Sequence, residues 1–319
     1  MITILLLLIG ATASAFAVEA GGELAIEYAG EITESLELEL FLPPLGDTEL
    51  RYAFVLNRPV QDLLANKDAS YFAKKLYLKH RFSAFHLTVG RQPISWAFGS
   101  LLNPADYTPG SVQMGEEFDS KYTDAVEVYI PVNWNSSLSL VTSFPEGFTT
   151  DLDKAKWGAR ARMGLGGYDL TMNYVREAEV RPQGVPMQRV GLTAKGDLGS
   201  FGVYAAYAHQ FCDKNKSSNS FLIGADYSFN LDYDTKITTQ VEYLASRPGD
   251  QDLLVGSIGY PLDDFSTLSL LATVYMADGS IALTPRYQNT LPGGIDLAAS
   301  CTFQTNRDLD IMFRLSYPF

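Results

Sequence analysis

The chain has 319 residues, 37 of them acidic and 24 basic, for a formal net charge of −13. That acidity excludes a general nucleic-acid partner, and two isolated cysteines, Cys212 and Cys301, supply neither a disulfide framework nor a metal spacing. A membrane is not excluded, because a β-barrel keeps its charges in loops and lumen, and 18 Tyr and 18 Phe against 3 Trp suit strands and interfacial girdles.

Residues 1–17, M-I-T-I-L-L-L-L-I-G-A-T-A-S-A-F-A, form a short apolar core followed by overlapping A-x-A patterns ending at Ala13, Ala15 and Ala17. They are expected to be a signal peptide, with the mature chain starting near Phe16 or Val18, although no Lys or Arg precedes the core; a signal anchor is the alternative. Nothing after Ala17 approaches the ~18 apolar residues of a membrane helix. An exported chain of this kind is either soluble and secreted or a barrel.

From residue 18 onward, segments of period-two alternation follow one another. Leu24, Ile26 and Tyr28 share one parity, then Leu36, Leu38 and Leu40, then Leu50, Tyr52, Phe54 and Leu56. The last third is the most regular, as in Phe221-Ile223-Ala225-Tyr227-Phe229 and Leu268-Leu270-Ala272-Val274-Met276. About eighteen strands are expected, or sixteen if two weak segments are misread. Counted from the first strand, the even-to-odd connections are all short, such as Gly166-Gly167 and Asp263-Asp264. Most odd-to-even ones are long, as at Asn57–Ser70, Pro93–Asp119 and Pro145–Ala155. Short turns on one side and long loops on the other are the habit of membrane barrels, and a soluble sandwich has no reason to keep that phase. The expected fold is all-β: a transmembrane antiparallel up-and-down β-barrel, one domain over 18–319.

The closing stretch reads L-D-I-M-F-R-L-S-Y-P-F, with Leu309, Ile311, Phe313, Leu315, Tyr317 and Phe319 on one parity. It resembles the last strand of bacterial outer-membrane barrels. The resemblance implies that this strand pairs with the first, that Phe313, Tyr317 and Phe319 face lipid, and that Phe319 is read by the barrel-assembly machinery.

The longest interruption is Arg91–Asp119, too apolar for disorder and too long for a bare connection. Ile94, Trp96, Phe98, Leu101 and Leu102 need a surface to bury against, and a barrel lumen supplies one, so the loop is expected to fold inward and narrow a pore. Gly90-Arg91-Gln92, Trp96 and Asn103-Pro104-Ala105-Asp106 resemble the G-R-Q … W-G … N-P-x-D stretch of porin-like barrels, broadly of the alginate-export type; Ala97 departs from it. Arg91, Gln92, Trp96, Asn103, Pro104 and Asp106 are the expected constriction residues. Arg91 shares the parity of Leu87 and Val89, so either a bulge at Gly90 turns it inward or the strand ends there.

The inward parity carries Glu23, Glu27, Glu37 and Glu39 on the first two strands and Asp296 and Asp310 on the last two, an acidic wall at the seam. Arg51, Lys75, Lys79 and Arg81 follow on strands three and four, and Arg160, Arg162, Arg189 and Lys195 on strands eight and ten, roughly opposite. Opposed walls would set a transverse field favouring polar solutes, with a modest anion preference. Local pairing is the alternative, Arg314 with Asp296 or Asp310 above all. No catalytic, metal or nucleotide motif is present and His80, His86 and His209 are scattered, so no cofactor and no enzyme is expected, an outer-membrane hydrolase being the minor alternative. The expected function is an outer-membrane channel for small hydrophilic solutes, with outer-membrane lipid and the assembly machinery as partners. The resemblance implies an anionic or sugar-like solute, which the acidic wall opposes in part. A plugged structural barrel is the alternative.

Overall fold

The computed structural model describes residues 18–59, 70–96, 98, 100–108, 122–178, 187–211, 217–231, 235–247, 252–305 and 307–319. The expected signal peptide, the loop from 109 to 119 and Cys212 lie outside them.

The described residues form eighteen strands in one closed sheet. They are β1 Glu19–Tyr28, β2 Ile32–Phe41, β3 Thr48–Pro59, β4 Ser70–Arg81, β5 His86–Pro93 and β6 Tyr122–Asn133. Then come β7 Ser136–Phe144, β8 Lys156–Leu165, β9 Tyr168–Arg176, β10 Gln188–Leu198, β11 Phe201–Phe211 and β12 Ser217–Asn230. The last are β13 Lys236–Arg247, β14 Leu253–Pro261, β15 Ser266–Tyr275, β16 Ser280–Leu291, β17 Ile295–Gln304 and β18 Asp310–Pro318. Each pairs antiparallel with the next and β18 returns to β1, so the count is eighteen, not sixteen.

The alternation dictates the two faces. Leu24, Ile26, Met172, Leu192, Ile223, Val241, Leu268 and Phe313 are exposed, and every one lies on the parity read as outward. Burying such a side chain is worth roughly 1.5–3 kcal/mol, so a continuous apolar exterior is stable only in hydrocarbon. The chain is a transmembrane β-barrel. Its tightest turns use glycine where the backbone requires it: Gly166 and Gly167 join β8 to β9 with φ of 61° and 88°, the paired positive φ of a two-residue hairpin.

The seam closes as expected. Leu24 lies opposite Tyr317, Ile26 opposite Leu315 and Tyr28 opposite Phe313. One step beyond, Phe319 and Gly22 exchange both backbone hydrogen bonds at 3.0 Å. A Cβ on Gly22 would stand 2.2 Å from the Glu37 carbonyl oxygen and 2.9 Å from the Phe319 ring, so glycine here admits both the β2 backbone and that aromatic. Leu309, Ile311, Phe313, Leu315, Tyr317 and Phe319 are all exposed, although β18 itself begins at Asp310.

Two details depart from the sequence reading. The β4–β5 and β5–β6 ladders run through Gly90 without a register shift, so Arg91 is not turned by a bulge. Gly90 has φ 126° and packs so closely on the Leu76 carbonyl that a Cβ would sit 2.2 Å from it. Arg91 lies opposite Asp124, with its guanidinium 3.9 Å from that carboxylate and 4.6 Å from the Phe72 ring centroid. A register shift occurs instead in β4, where Ala53 and Phe54 of β3 face Lys75 and Ala73, and Lys74 is the extra residue. Lys74 and Lys75 then reach Glu37 and Glu39 of β2, at 3.0 and 3.3 Å.

Candidate functional site

The site is built from the segment between β5 and β6. Its Asn103-Pro104-Ala105-Asp106 run is a turn, with the Asp106 amide donating to the Asn103 carbonyl at 3.3 Å. Asn103 Oδ1 accepts from the Ala105 amide at 3.0 Å, the side-chain turn that Asn favours. Both polar side chains then reach back to Trp96. Asp106 Oδ1 accepts the Trp96 amide at 2.6 Å and Asn103 Nδ2 donates to the Trp96 carbonyl at 3.2 Å. The spacing W … N-P-x-D is thus a staple that closes the segment on itself. Gln92 donates to the Ala125 carbonyl at 3.4 Å, holding the segment's origin to β6.

The stapled segment lies against the inward parity of β6 to β15. Ile94, Trp96 and Tyr107 pack on Ala125, Val141 and Val175, while Leu101, Leu102 and Ala105 pack on Tyr204, Ala206, Leu222 and Val255. The wall beneath is cut down to fit. A Cβ on Gly158 would stand 2.6 Å from the Tyr107 ring and 2.7 Å from that of Trp96, and a Cβ on Gly191 would meet Ala105 at 2.8 Å.

Polar groups of the wall satisfy the segment's backbone, as buried amides and carbonyls require. Asn173 of β9 donates to the Ala105 carbonyl at 2.6 Å, and Arg189 of β10 donates to those of Asp106 and Tyr107 at 2.6 and 3.2 Å. The Tyr107 hydroxyl meets Ser143 Oγ at 2.7 Å and donates to the Lys156 carbonyl at 3.1 Å. On the far side, Glu242 of β13 is fully buried. Its carboxylate accepts both successive amides of Leu101 and Leu102, the latter at 2.8 Å, with the Tyr204 hydroxyl at 2.8 Å and the Gln240 amide at 2.9 Å. Burying a carboxylate costs several kcal/mol, and four donors, each worth about 1.5–3 kcal/mol to a charged acceptor, offset that.

The structure redistributes the charges expected to line a pore. Arg189, only 5% exposed, lies under the segment rather than facing water, and also approaches Glu177 at 3.7 Å. Glu177 takes Lys156 as well, at 3.0 Å. Arg162 pairs with Asp169 at 2.7 Å. Arg51 and Arg81 share Glu49, at 2.6 and 2.9 Å. Arg314 pairs across the seam with Glu23 at 2.8 Å and Glu27 at 3.3 Å, not with Asp296 or Asp310. Asp296 instead accepts the Thr290 hydroxyl at 2.6 Å. The two walls are therefore not a pair of free, opposed charge sheets; most members have an ion-pair partner close by. Arg160, Lys79 and Lys195 remain on the inward parity, with Glu127, Asp197 and Asp226 sharing their wall. Sequence reasoning missed Lys74, Glu127, Asn173 and Glu242. Lys74 carries a signal, since two adjacent lysines in one strand break period two; Glu242 is an inward acid like several others until its partners are known.

The described residues of the segment pack on β6 to β15 and not on the wall from β16 round the seam to β4. Two cavities lie along it. The upper, about 690 Å³, runs between Leu101 and Leu102 of the segment and Thr284, Ser300 and Thr302 of β16 and β17. The lower, about 820 Å³, is lined by Glu23, Glu37, Lys74, Asp296 and Arg314 among others. Arg286 borders both. Among the described residues, the histidines stand apart on three strands: His80 against Thr48 at 2.7 Å, His86 against the Tyr129 ring and His209 against Asn219 at 2.6 Å.

No protein-family model and no curated protein sequence matches this chain. Solved structures do resemble it. OccK11 (OpdR) of Pseudomonas aeruginosa aligns with a TM-score of 0.64 at 11% identity, over 95% of this chain and 95% of that one. A triple mutant of the Rhodopseudomonas blastica porin aligns with a TM-score of 0.56 at 12% identity, over 95% of this chain and all of that one. A structure described as showing asymmetric conductivity of engineered proteins aligns with a TM-score of 0.56 at 11% identity and the same coverage. At such identities the likeness is one of fold: the barrel of bacterial porins.

Proposed function

We propose that this protein is an outer-membrane channel for the passive diffusion of small hydrophilic solutes, narrowed by the segment that follows β5. The observation that carries the reading is the segment's placement. A stretch stapled by Asn103 and Asp106 and clamped by Asn173, Arg189 and Glu242 occupies one side of the lumen and leaves cavities of about 690 and 820 Å³ along the other. On this reading, constriction from one side would set the size limit while leaving a path for the solute. The porin-like fold and the lipid-compatible exterior support a place in the bacterial outer membrane, with surrounding lipid as one partner and the barrel-assembly machinery, reading the strand that ends at Phe319, as the other.

The test is conductance of the purified protein in a planar bilayer. Stepwise, ohmic openings are expected. A silent protein that is nonetheless folded and inserted points to a plugged structural barrel. A second measurement, uptake of uncharged sugars of graded size into proteoliposomes, places the cutoff.

A further inference from the structure

We infer that the open corridor selects small organic cations carrying an apolar body, such as aliphatic ammonium ions, over organic anions of the same size. The inference rests on the channel reading and adds the chemistry of the solute.

Two independent features lead to it. The first is the amphipathic upper cavity. One flank is aliphatic: Leu101 and Leu102 from the segment, with Leu253, Val255 and Leu271 from β14 and β15. The facing flank is a set of hydroxyls, Thr273, Thr284, Ser300 and Thr302. A fully hydrated ion gains nothing from an aliphatic flank. A solute that lays a hydrocarbon side against it recovers up to about 0.8 kcal/mol per buried methylene while its polar head stays bonded across the gap.

The second feature is the charge of the wall round the seam. Glu37 and Glu39 are cancelled by Lys74 and Lys75. What remains on the seam strands is Glu23, Glu27, Asp296 and Asp310 against two guanidiniums, Arg286 and Arg314. The excess is negative whichever carboxylate each guanidinium meets. Arg314 already serves both Glu23 and Glu27. In the lower cavity Glu23, Glu37, Asp264 and Asp296 outnumber Lys74, Arg286 and Arg314, while in the upper one Asp310 is matched by Arg286, so the excess meets the solute in the lower cavity. Of the cations that sequence parity assigned to the pore, Arg189 is covered by the segment and Arg162 is paired with Asp169, while Lys79, Arg160 and Lys195 keep the inward parity but line neither cavity. Carboxylates lining a pore draw cations and repel anions, most strongly when salt is dilute.

The test measures zero-current potentials of the purified protein across gradients of potassium chloride, n-butylammonium chloride and sodium butyrate. Wild type should pass potassium over chloride by roughly threefold at 0.1 M salt, where the Debye length is about 10 Å. It should pass butylammonium at least as readily as potassium, and butyrate poorly. The double variant Asp296→Asn with Asp310→Asn removes two carboxylates that have no ion pair among the described residues, and should lower the preference for both cations. Leu271→Ser should lower the butylammonium-to-potassium ratio by about threefold while leaving potassium over chloride unchanged. Preference for chloride or butyrate in wild type, or ratios unmoved by either variant, overturns the inference while the channel stands. Absence of any conductance overturns the channel reading itself.

Discussion

Glu242 shows how much can hang on one side chain. Its carboxylate holds two amides of the inner segment from a strand 140 residues away. Replacing it with leucine strips acceptors from those amides and from the Tyr204 hydroxyl, at about 1–3 kcal/mol for each buried donor left unmade. The expected outcome is a segment that leaves the wall part of the time: noisier and larger single-channel currents, and new protease cleavage near Leu101, with the strands themselves intact. Gly158→Val should act on the opposite flank by a different route, because the added carbons would overlap the rings of Trp96 and Tyr107. Higher conductance is expected there too, read in the same bilayer assay; unchanged conductance would place the segment outside the solute's path. Neither residue stands out in the sequence. Gly158 reads as one more small residue in a strand, and Glu242 as a solvated lumen acid, since the groups that give them meaning arrive from far away in the chain.

The strands were legible because each must solve the same local problem, presenting apolar groups to lipid and polar ones to the interior. Leu309 to Phe319 shows the consequence: its parity placed every outward side chain, while its pairing with β1 came from the resemblance to the last strand of outer-membrane barrels. The bulge at Lys74 was less legible, because alternation read from Leu76 and Leu78 gives no warning of it and only the adjacent pair Lys74-Lys75 breaks period two. Turns add a titratable layer to the elements. In the β14–β15 turn, Asp263 is held below the usual carboxylate range by the Ser266 hydroxyl and the Phe265 amide. In the β15–β16 turn, Asp278 is held down by the backbone and hydroxyl of Ser280. A depressed folded-state pKa contributes stability that is present above the unfolded value, near 3.9, and lost as pH falls through the folded one. Both carboxyls should therefore titrate below 3.8 by carbon NMR, the two turns should be indifferent to pH from 5 to 8, and they should loosen only in stronger acid.

At the scale of the molecule, the barrel is lopsided. Among the described residues, one half of the wall carries the segment on a bed of glycine, alanine and buried polar groups, and the other half borders the two cavities. Deleting 98–105 should roughly restore a round lumen and raise conductance severalfold without loss of the folded barrel, which keeps its heat-modifiable mobility on electrophoresis. The charges follow the same asymmetry, and that is why parity alone misjudged them. It told which side chains point inward, but not which of them the segment would cover, as it does Arg189.

The clamp from Glu242 to Leu101 and Leu102 also fixes a sequence of events in time. Its two halves belong to strands β13 and the stretch after β5, so it cannot form until most of the cylinder has been threaded and curved round. Contacts between such distant positions pay their loop-closure entropy first and are made late. A newborn pore should thus be wide before it is narrow. In a refolding experiment on a variant keeping Trp96 as its only tryptophan, β-sheet signal should rise first, and burial of the indole should trail behind as a separate, slower phase.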